Sequence, residues 1–223
     1  MTKKQNNLNV YVVGGDKGYA CWIDCNIVKK MEDSDLVLFT GGEDVSPFLY
    51  NRKDHPTTGA NYPRDMEEVQ AFQEAHYLGL HMLGICRGAQ LLCALSGGIL
   101  VQNQANPEFI HEMSTFDGQR IPVSSTHHQA QYPWGMNKDE FKLLGWTRGV
   151  SPYHEGESKE QEMVNGIVAN DMEAEVVYYP KYRALGIQSH PEMLYHKMYY
   201  NHRISESMEW MSTILSMHML DKL

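Results

Sequence analysis

Short apolar runs that stop at a glycine or a cysteine, alternating with segments of helical spacing, constrain this chain more than any other feature. "LNVYVVGG" (8–15), "DLVLFTGG" (35–42) and "LHMLGIC" (80–86) each read as a buried strand. Between the first two, "YACWIDCNIVKKM" (19–31) places Cys21, Cys25 and Val28 at helical spacing, which predicts a helix. "RDMEEVQAFQEAHYLG" (64–79) opens with acids, which favour the positive end of a helix dipole. "RGAQLLCALSGG" (87–98) reads as a further helix, stopped by glycines. Such βαβ rhythm predicts an α/β fold: a three-layer αβα sandwich with a mostly parallel central sheet. Sites in these folds form beyond the carboxyl ends of the strands, so the turns at Gly41-Gly42 and at Cys86 are expected to face one cleft.

The second half is less regular. "NQANPEFIHEMSTFDGQRIPVSSTHHQ" and "RGVSPYHEGESKEQEM" read as hairpins and loops. "AEVVYYP" and "ALGIQSHP" read as two strands joined by a tight charged turn, and "RISESMEWMSTILSMHML" as an amphipathic helix presenting Ile204, Met208, Met211 and Leu215 on one face. No repeat, low-complexity tract or linker interrupts residues 1–223, which predicts a single domain.

Bulk properties narrow the partners. A net charge of −9 speaks against a general nucleic-acid or anionic-membrane binder, because such proteins meet phosphates with Lys and Arg. No apolar run approaches the roughly 18 residues of a membrane span, and no signal peptide is evident. Four cysteines do not make a disulfide framework in a chain of 223 residues, so reduced thiols and a cytoplasmic location are expected.

Two constellations carry chemistry. In "GICRG" (84–88), a cysteine sits between strand and helix with glycine at both ±2 positions, as in a nucleophile elbow. The glycines permit a sharp turn and close backbone contact, and a helix N-terminus beside a sulfur favours the thiolate. The Arg87 N–H is available to a developing oxyanion. A buried, inert cysteine fits the same five residues equally well. In "GIQSHPE" (186–192), a strand ends at His190, and Pro191 fixes the backbone so that Glu192 can reach one imidazole nitrogen. That is a base with its orienter, the pair a thiol nucleophile needs; a surface histidine beside a helix-capping acid is the plainer alternative. "HH" (127–128) and "HE" (111–112) lack the spacing of a zinc site, so no metal is expected. Cys21 and Cys25 read as two small core residues on one helix face. "VVGGDKG" lacks both the G-x-G-x-x-G and the P-loop Lys-Ser/Thr of a nucleotide site.

Taken in order, "FTGGEDVSPFLY", "RDMEE", "LGICRGAQLLCALSGGILVQ", "VSSTHHQA" and "GIQSHPE" resemble the motifs of the class I glutamine amidotransferases. Within them they are most similar to the γ-glutamyl hydrolase-like branch, of the γ-glutamyl-γ-aminobutyrate hydrolase type. The resemblance runs from about Val37 to Glu192. It implies a flavodoxin-like α/β fold and a hydrolase of γ-glutamyl amides that works through a thioester, without metal or organic cofactor. It implies Cys86 as nucleophile, His190 as general base and acid, and Glu192 as the residue orienting His190. The backbone N–H groups of Gly42 and Arg87 would form the oxyanion hole, and Gln90, Ser125, His127 and His128 would hold the glutamyl moiety. Three positions depart from the branch's pattern: Ser189 replaces an aromatic, Ser124 an asparagine and Cys93 another asparagine. The first two are expected to alter pocket shape and hence leaving-group preference. Residues 134–162 match nothing in the pattern. Glutamine and γ-glutamyl amines are the expected substrates. A glutaminase module feeding ammonia to a synthase partner, a homodimer, and a non-catalytic binding protein of this fold stay open as alternatives.

Overall fold

The computed structural model describes residues 7–103, 110–148, 163–164, 167–168, 172–198 and 201–223. Thirteen strands and four α-helices occur among them. In the first half these are β1 (Leu8–Val12), β2 (Cys25–Ile27), β3 (Leu36–Phe39), α1 (Tyr62–Tyr77), β4 (His81–Ile85) and α2 (Arg87–Ser96). Next come β5 (Ile99–Val101), β6 (Ile110–Thr115), β7 (Arg120–Ser124), β8 (Ala130–Tyr132) and β9 (Lys142–Arg148). β10 (Met163–Val164), β11 (Ile167–Val168), β12 (Met172–Tyr179), β13 (Ala184–Ile187), α3 (Pro191–Tyr195) and α4 (His202–Met219) complete the order.

Nine strands form one sheet in the order β2-β1-β3-β4-β13-β12-β9-β6-β7. It is parallel from β2 to β13 and antiparallel from β13 to β7. The change follows from the connections. Long crossovers join the early strands, whereas short turns join β6 to β7 and β12 to β13, and a short turn forces antiparallel pairing. β5 and β8 pair separately as a two-stranded ribbon.

Alternation along the strands builds two cores. Val37 and Phe39 of β3 and Val177 and Tyr179 of β12 face one layer, which Phe72 of α1 and Leu91 and Leu92 of α2 cover. Leu36 and Leu38, with Val176 and Tyr178, face the other, covered by Leu194 of α3 and by Ile204, Met208, Met211 and Leu215 of α4. This is the sandwich expected from the sequence, down to the apolar face of the last helix. α1 is started by Asn61, whose side chain accepts from the Arg64 N–H, and α2 is stopped by Gly97 at φ 107°.

One expectation changes. Residues 19–31 form no α-helix: a 3₁₀ turn (Lys17–Ala20) leads to the edge strand β2, and a second turn covers Met31–Asp33. The spacing of Cys21, Cys25 and Val28 is met by chance, because β2 pairs in parallel with β1 and takes Cys25 into the sheet edge. Cys21 and Cys25 are therefore not partners on a helix face; both are free thiols, Cys21 exposed and Cys25 half-buried. The polar stretch after residue 103 holds a hairpin, as expected. β6 and β7 form a hairpin at the outer edge of the main sheet, where Pro122 is tolerated because an edge strand need not donate from every residue. Residues 149–162, expected as loop, lie outside the described residues. Among the described residues, no helix is long and apolar enough to cross a membrane.

Candidate active site

β3, β4 and β13 are parallel neighbours, so their carboxyl ends open on one edge of the sheet. Gly41-Gly42 follow β3, Cys86 follows β4, and His190 follows β13. Cys86 is bound into this edge by its N–H, which donates to the Ile187 carbonyl at 2.8 Å.

The cysteine has the backbone of an elbow. Its φ is 52° and ψ −107°, a region non-glycine residues rarely occupy, at a cost of about 1–3 kcal/mol. α2 begins at the next residue, so Cys86 stands at the end of the helix where the unpaired first-turn N–H groups lie. The flanking glycines are needed for closeness. A Cβ on Gly84 would overlap the backbone of Gly88, and one on Gly88 would overlap the backbone of Phe39. The turn packs so tightly that no side chain fits at either position.

His190 lies beside this turn, and Glu192 orients it: the imidazole Nδ1 is 2.6 Å from Glu192 Oε1. That leaves Nε2 for the sulfur. Burial disfavours the imidazolium, but hydrogen bonding to Cys86 and Glu192, and their negative charges, outweigh it and raise the His190 pKa to about 10. Ser124 pins the backbone of His190 from below, its Oγ accepting from His190 N at 2.8 Å and lying 3.2 Å from His190 O.

A pocket of about 240 Å³ opens over the sulfur, lined by Gly42, Asp44, Cys86, Gln90, Thr126, His127, His128, Gln129 and His190. Of the residues expected to hold a substrate, Gln90, His127 and His128 are in this wall. Gln90 Nε2 donates to the Gln129 carbonyl at 2.9 Å. His127 Nδ1 is 2.8 Å from the same carbonyl, so it carries the proton, and burial pushes its pKa down, keeping the ring neutral. His128 Nε2 is 2.9 Å from Asp44 Oδ1. Ser125 is not part of the wall. It is buried, and the wall begins one residue on, with Thr126 and the three residues after it. Nor do Ser124 and Ser189 shape the pocket directly: Ser124 holds His190 and Ser189 is buried. Cys93 is wholly buried on α2, its thiol pushed up to about 11 by burial.

Three participants escaped the sequence reading. Asp44 lines the pocket; it belongs to the motif "FTGGEDVSPFLY", in which only Gly42 was given a role. Tyr19 stands with its ring centroid 6.1 Å from that of His190, its phenol pushed up to about 12 by burial and by the charges of Glu192 and Cys86. Nothing in "GYACW" signals this, since the contact depends on where the turn before β2 falls. The third is a charge network under the elbow, buried at Arg87, Asp65 and Glu68 and reaching the surface at Glu43. Arg87, 1% exposed, places Nη2 2.5 Å from Asp65 Oδ1 and also pairs with Glu68. Glu68 in turn accepts from Arg64 Nε at 2.9 Å, and Arg64 Nη1 reaches Glu43 at 2.6 Å. Among the described residues, no group of three or more His, Cys, Asp or Glu side chains is arranged to hold a metal ion.

Comparison with known proteins identifies the family and the fold. The family model described as Peptidase C26 matches residues 22–192. The glutamine amidotransferase-like protein YvdE of Lactococcus lactis subsp. lactis is 29% identical over 191 residues, covering 81% of this chain and 75% of that protein. The YvdE homologue of Lactococcus lactis subsp. cremoris is 33% identical over 131 residues, covering 58% of this chain and 66% of that protein, just under two thirds of its length. Among solved structures, a glutamine amidotransferase from Thermotoga maritima superposes with a TM-score of 0.53 at 16% identity, covering 97% of both chains. The glutaminase domain of Trypanosoma brucei CTPS superposes with a TM-score of 0.52 at 12% identity, covering 83% of this chain and 86% of that one. At such identities the structures speak for the fold alone.

Proposed function

The chain belongs to the peptidase C26 family, within the class I glutamine amidotransferase superfamily, and from that premise we propose that it is a cysteine-dependent hydrolase of γ-glutamyl amide bonds. The observation that carries this reading is the strained Cys86 at the head of α2 with the His190–Glu192 pair beside it. Cys86, His190 and Glu192 act as the triad, Gly42 and Arg87 supply the oxyanion N–H groups, and Gln90, His127 and His128 contact the glutamyl part.

The Cys86 thiolate attacks the γ-carbonyl carbon, and the carbonyl π electrons move to oxygen, where the two backbone N–H groups receive the charge. Collapse reforms the carbonyl and breaks the C–N bond, while the His190 imidazolium gives its proton to the departing nitrogen. Ammonia or an amine leaves and a γ-glutamyl thioester remains. Neutral His190 then takes a proton from water as it attacks the thioester. A second collapse expels the thiolate and releases glutamate. Glu192 holds the ring so that Nε2 serves both transfers. The neutral His127 and the Asp44–His128 pair offer donors and acceptors of both signs, which a substrate carrying an α-amino and an α-carboxylate group requires. The bond cleaved is therefore that of glutamine or a γ-glutamyl amine.

Purified protein assayed with glutamine and a panel of γ-glutamyl amines should release glutamate alone, without a second protein. Cys86→Ala should abolish turnover with the circular dichroism spectrum unchanged. Retained hydrolysis in that variant would sink the assignment. Glutaminase activity that emerges only when a synthase is added would replace it with an ammonia-supplying module.

A further inference from the structure

We infer that Arg64 is a positioning residue for the oxyanion hole: its guanidinium fixes the Gly41–Gly42 peptide so that the Gly42 N–H faces Cys86. This rests on the hydrolase reading above and adds to it a residue that touches neither the sulfur nor the substrate.

The geometry is that of one peptide plane. Arg64 Nη2 donates to the Gly41 carbonyl at 2.8 Å. Gly41 C=O and Gly42 N–H belong to the same trans peptide, so they point in opposite directions. With the carbonyl turned to Arg64, the N–H is turned away from it, and Gly42 lines the pocket that holds Cys86 and His190. A glycine on either side leaves this plane unusually free to rotate. The flipped plane would aim a carbonyl oxygen, instead of a donor, at the developing oxyanion.

Arg64 is built to prevent that flip. Its Nε is held by Glu68 at 2.9 Å and its Nη1 by Glu43 at 2.6 Å, while Nη2 also reaches Thr40 Oγ1 at 3.2 Å. The planar fork thus meets four partners in one geometry, which a lysine cannot do. Gly42, at φ +149°, lies directly against the guanidinium; a Cβ there would overlap Arg64 Nη1. Glu68 also receives the side chain of Arg87, whose backbone N–H is the other proposed donor. One buried carboxylate therefore joins the supports of both halves of the hole.

The test compares two reactions of the same sulfur. Acylation of Cys86 by a γ-glutamyl p-nitroanilide passes through an oxyanion. Alkylation by iodoacetamide, in which sulfur displaces iodide, does not. For Arg64→Met, kcat on the anilide should fall about 100-fold, the loss typical of one oxyanion donor, with KM shifted less than about threefold. The rate of Cys86 carboxamidomethylation, read by peptide mass spectrometry, should stay within about twofold of the wild-type rate. Arg64→Lys keeps one donor and should fall between wild type and Arg64→Met; if the Met variant does not fold, the Lys variant carries the same comparison. Equal losses in both reactions would assign Arg64 to the fold or to the thiol and overturn the inference, as would an unchanged kcat. Cys86→Ala run alongside separates the two levels. Cys86-dependent turnover in wild type with a fully active Arg64→Met defeats only the positioning role. Turnover that survives Cys86→Ala defeats the hydrolase reading beneath it.

Discussion

His190 responds to Cys86 and Glu192 together. The raised pKa of His190, about 10, reflects hydrogen bonding and charge from Cys86 and Glu192 winning over burial. A pKa raised in the folded state above the ordinary 6.5 means that the imidazolium stabilises the fold fully below about pH 6.5. That contribution is lost as pH rises through about 10. Titration of the His190 Cε1 proton by NMR should show the high midpoint in wild type. In Glu192→Gln the midpoint should drop, because the neutral amide no longer favours the imidazolium, and the alkaline loss of stability should begin at lower pH. An unmoved midpoint would separate Glu192 from the ring. Both residues are legible in the sequence, because an elbow needs glycines at fixed offsets and His-Pro-Glu places the acid within reach of the ring. Tyr19 is not legible, since it meets His190 only through the path of a turn.

At the level of elements, α1 underpins the elbow. Asp65 and Glu68 lie one turn apart on the helix and aim inward at Arg87, and the Ser46 N–H donates to Asp65 at 3.2 Å. Arg87→Met should leave Asp65 without a cation in a buried place and Glu68 with Arg64 alone, which costs about 3–5 kcal/mol. For a chain of this size that is a fall of roughly 10 °C in Tm by differential scanning calorimetry. The backbone N–H of residue 87 survives the substitution. Activity measured well below the melt should accordingly fall far less than in Arg64→Met; a large loss of kcat with unchanged Tm would reverse the two roles. From the sequence, acids in the first turn of α1 read as dipole partners. Their true partner is an arginine 19 to 22 positions further on, which no local pattern specifies. The stretch 19–31 failed for a related reason. Three apolar residues at spacings of four and three suit a helix, yet a three-residue edge strand is decided by the vacancy beside β1.

Across the whole molecule, one sheet divides two cores, and we propose that they melt as a single domain. Leu91→Ala, on the α2 side, and Met211→Ala, on the α4 side, should each destabilise by about 2–5 kcal/mol. Both should move the same cooperative denaturant transition without changing its steepness. Two transitions, each sensitive to one variant, would show independent halves. What the sequence determined by itself is local and periodic: the βαβ rhythm, the glycine-flanked cysteine, the histidine with its acid, and the apolar stripe of α4. These are readable because backbone sterics and burial act on residues near in the chain. Only the tertiary structure decided the antiparallel half of the sheet, the burial of Ser125 outside the pocket wall, the use of Ser124 to hold His190, and the Arg64–Glu68–Arg87 chain of charges. Each of those depends on contacts between residues far apart in sequence. Their partners are chosen by how layers pack, and a linear pattern of residue types carries no record of that choice.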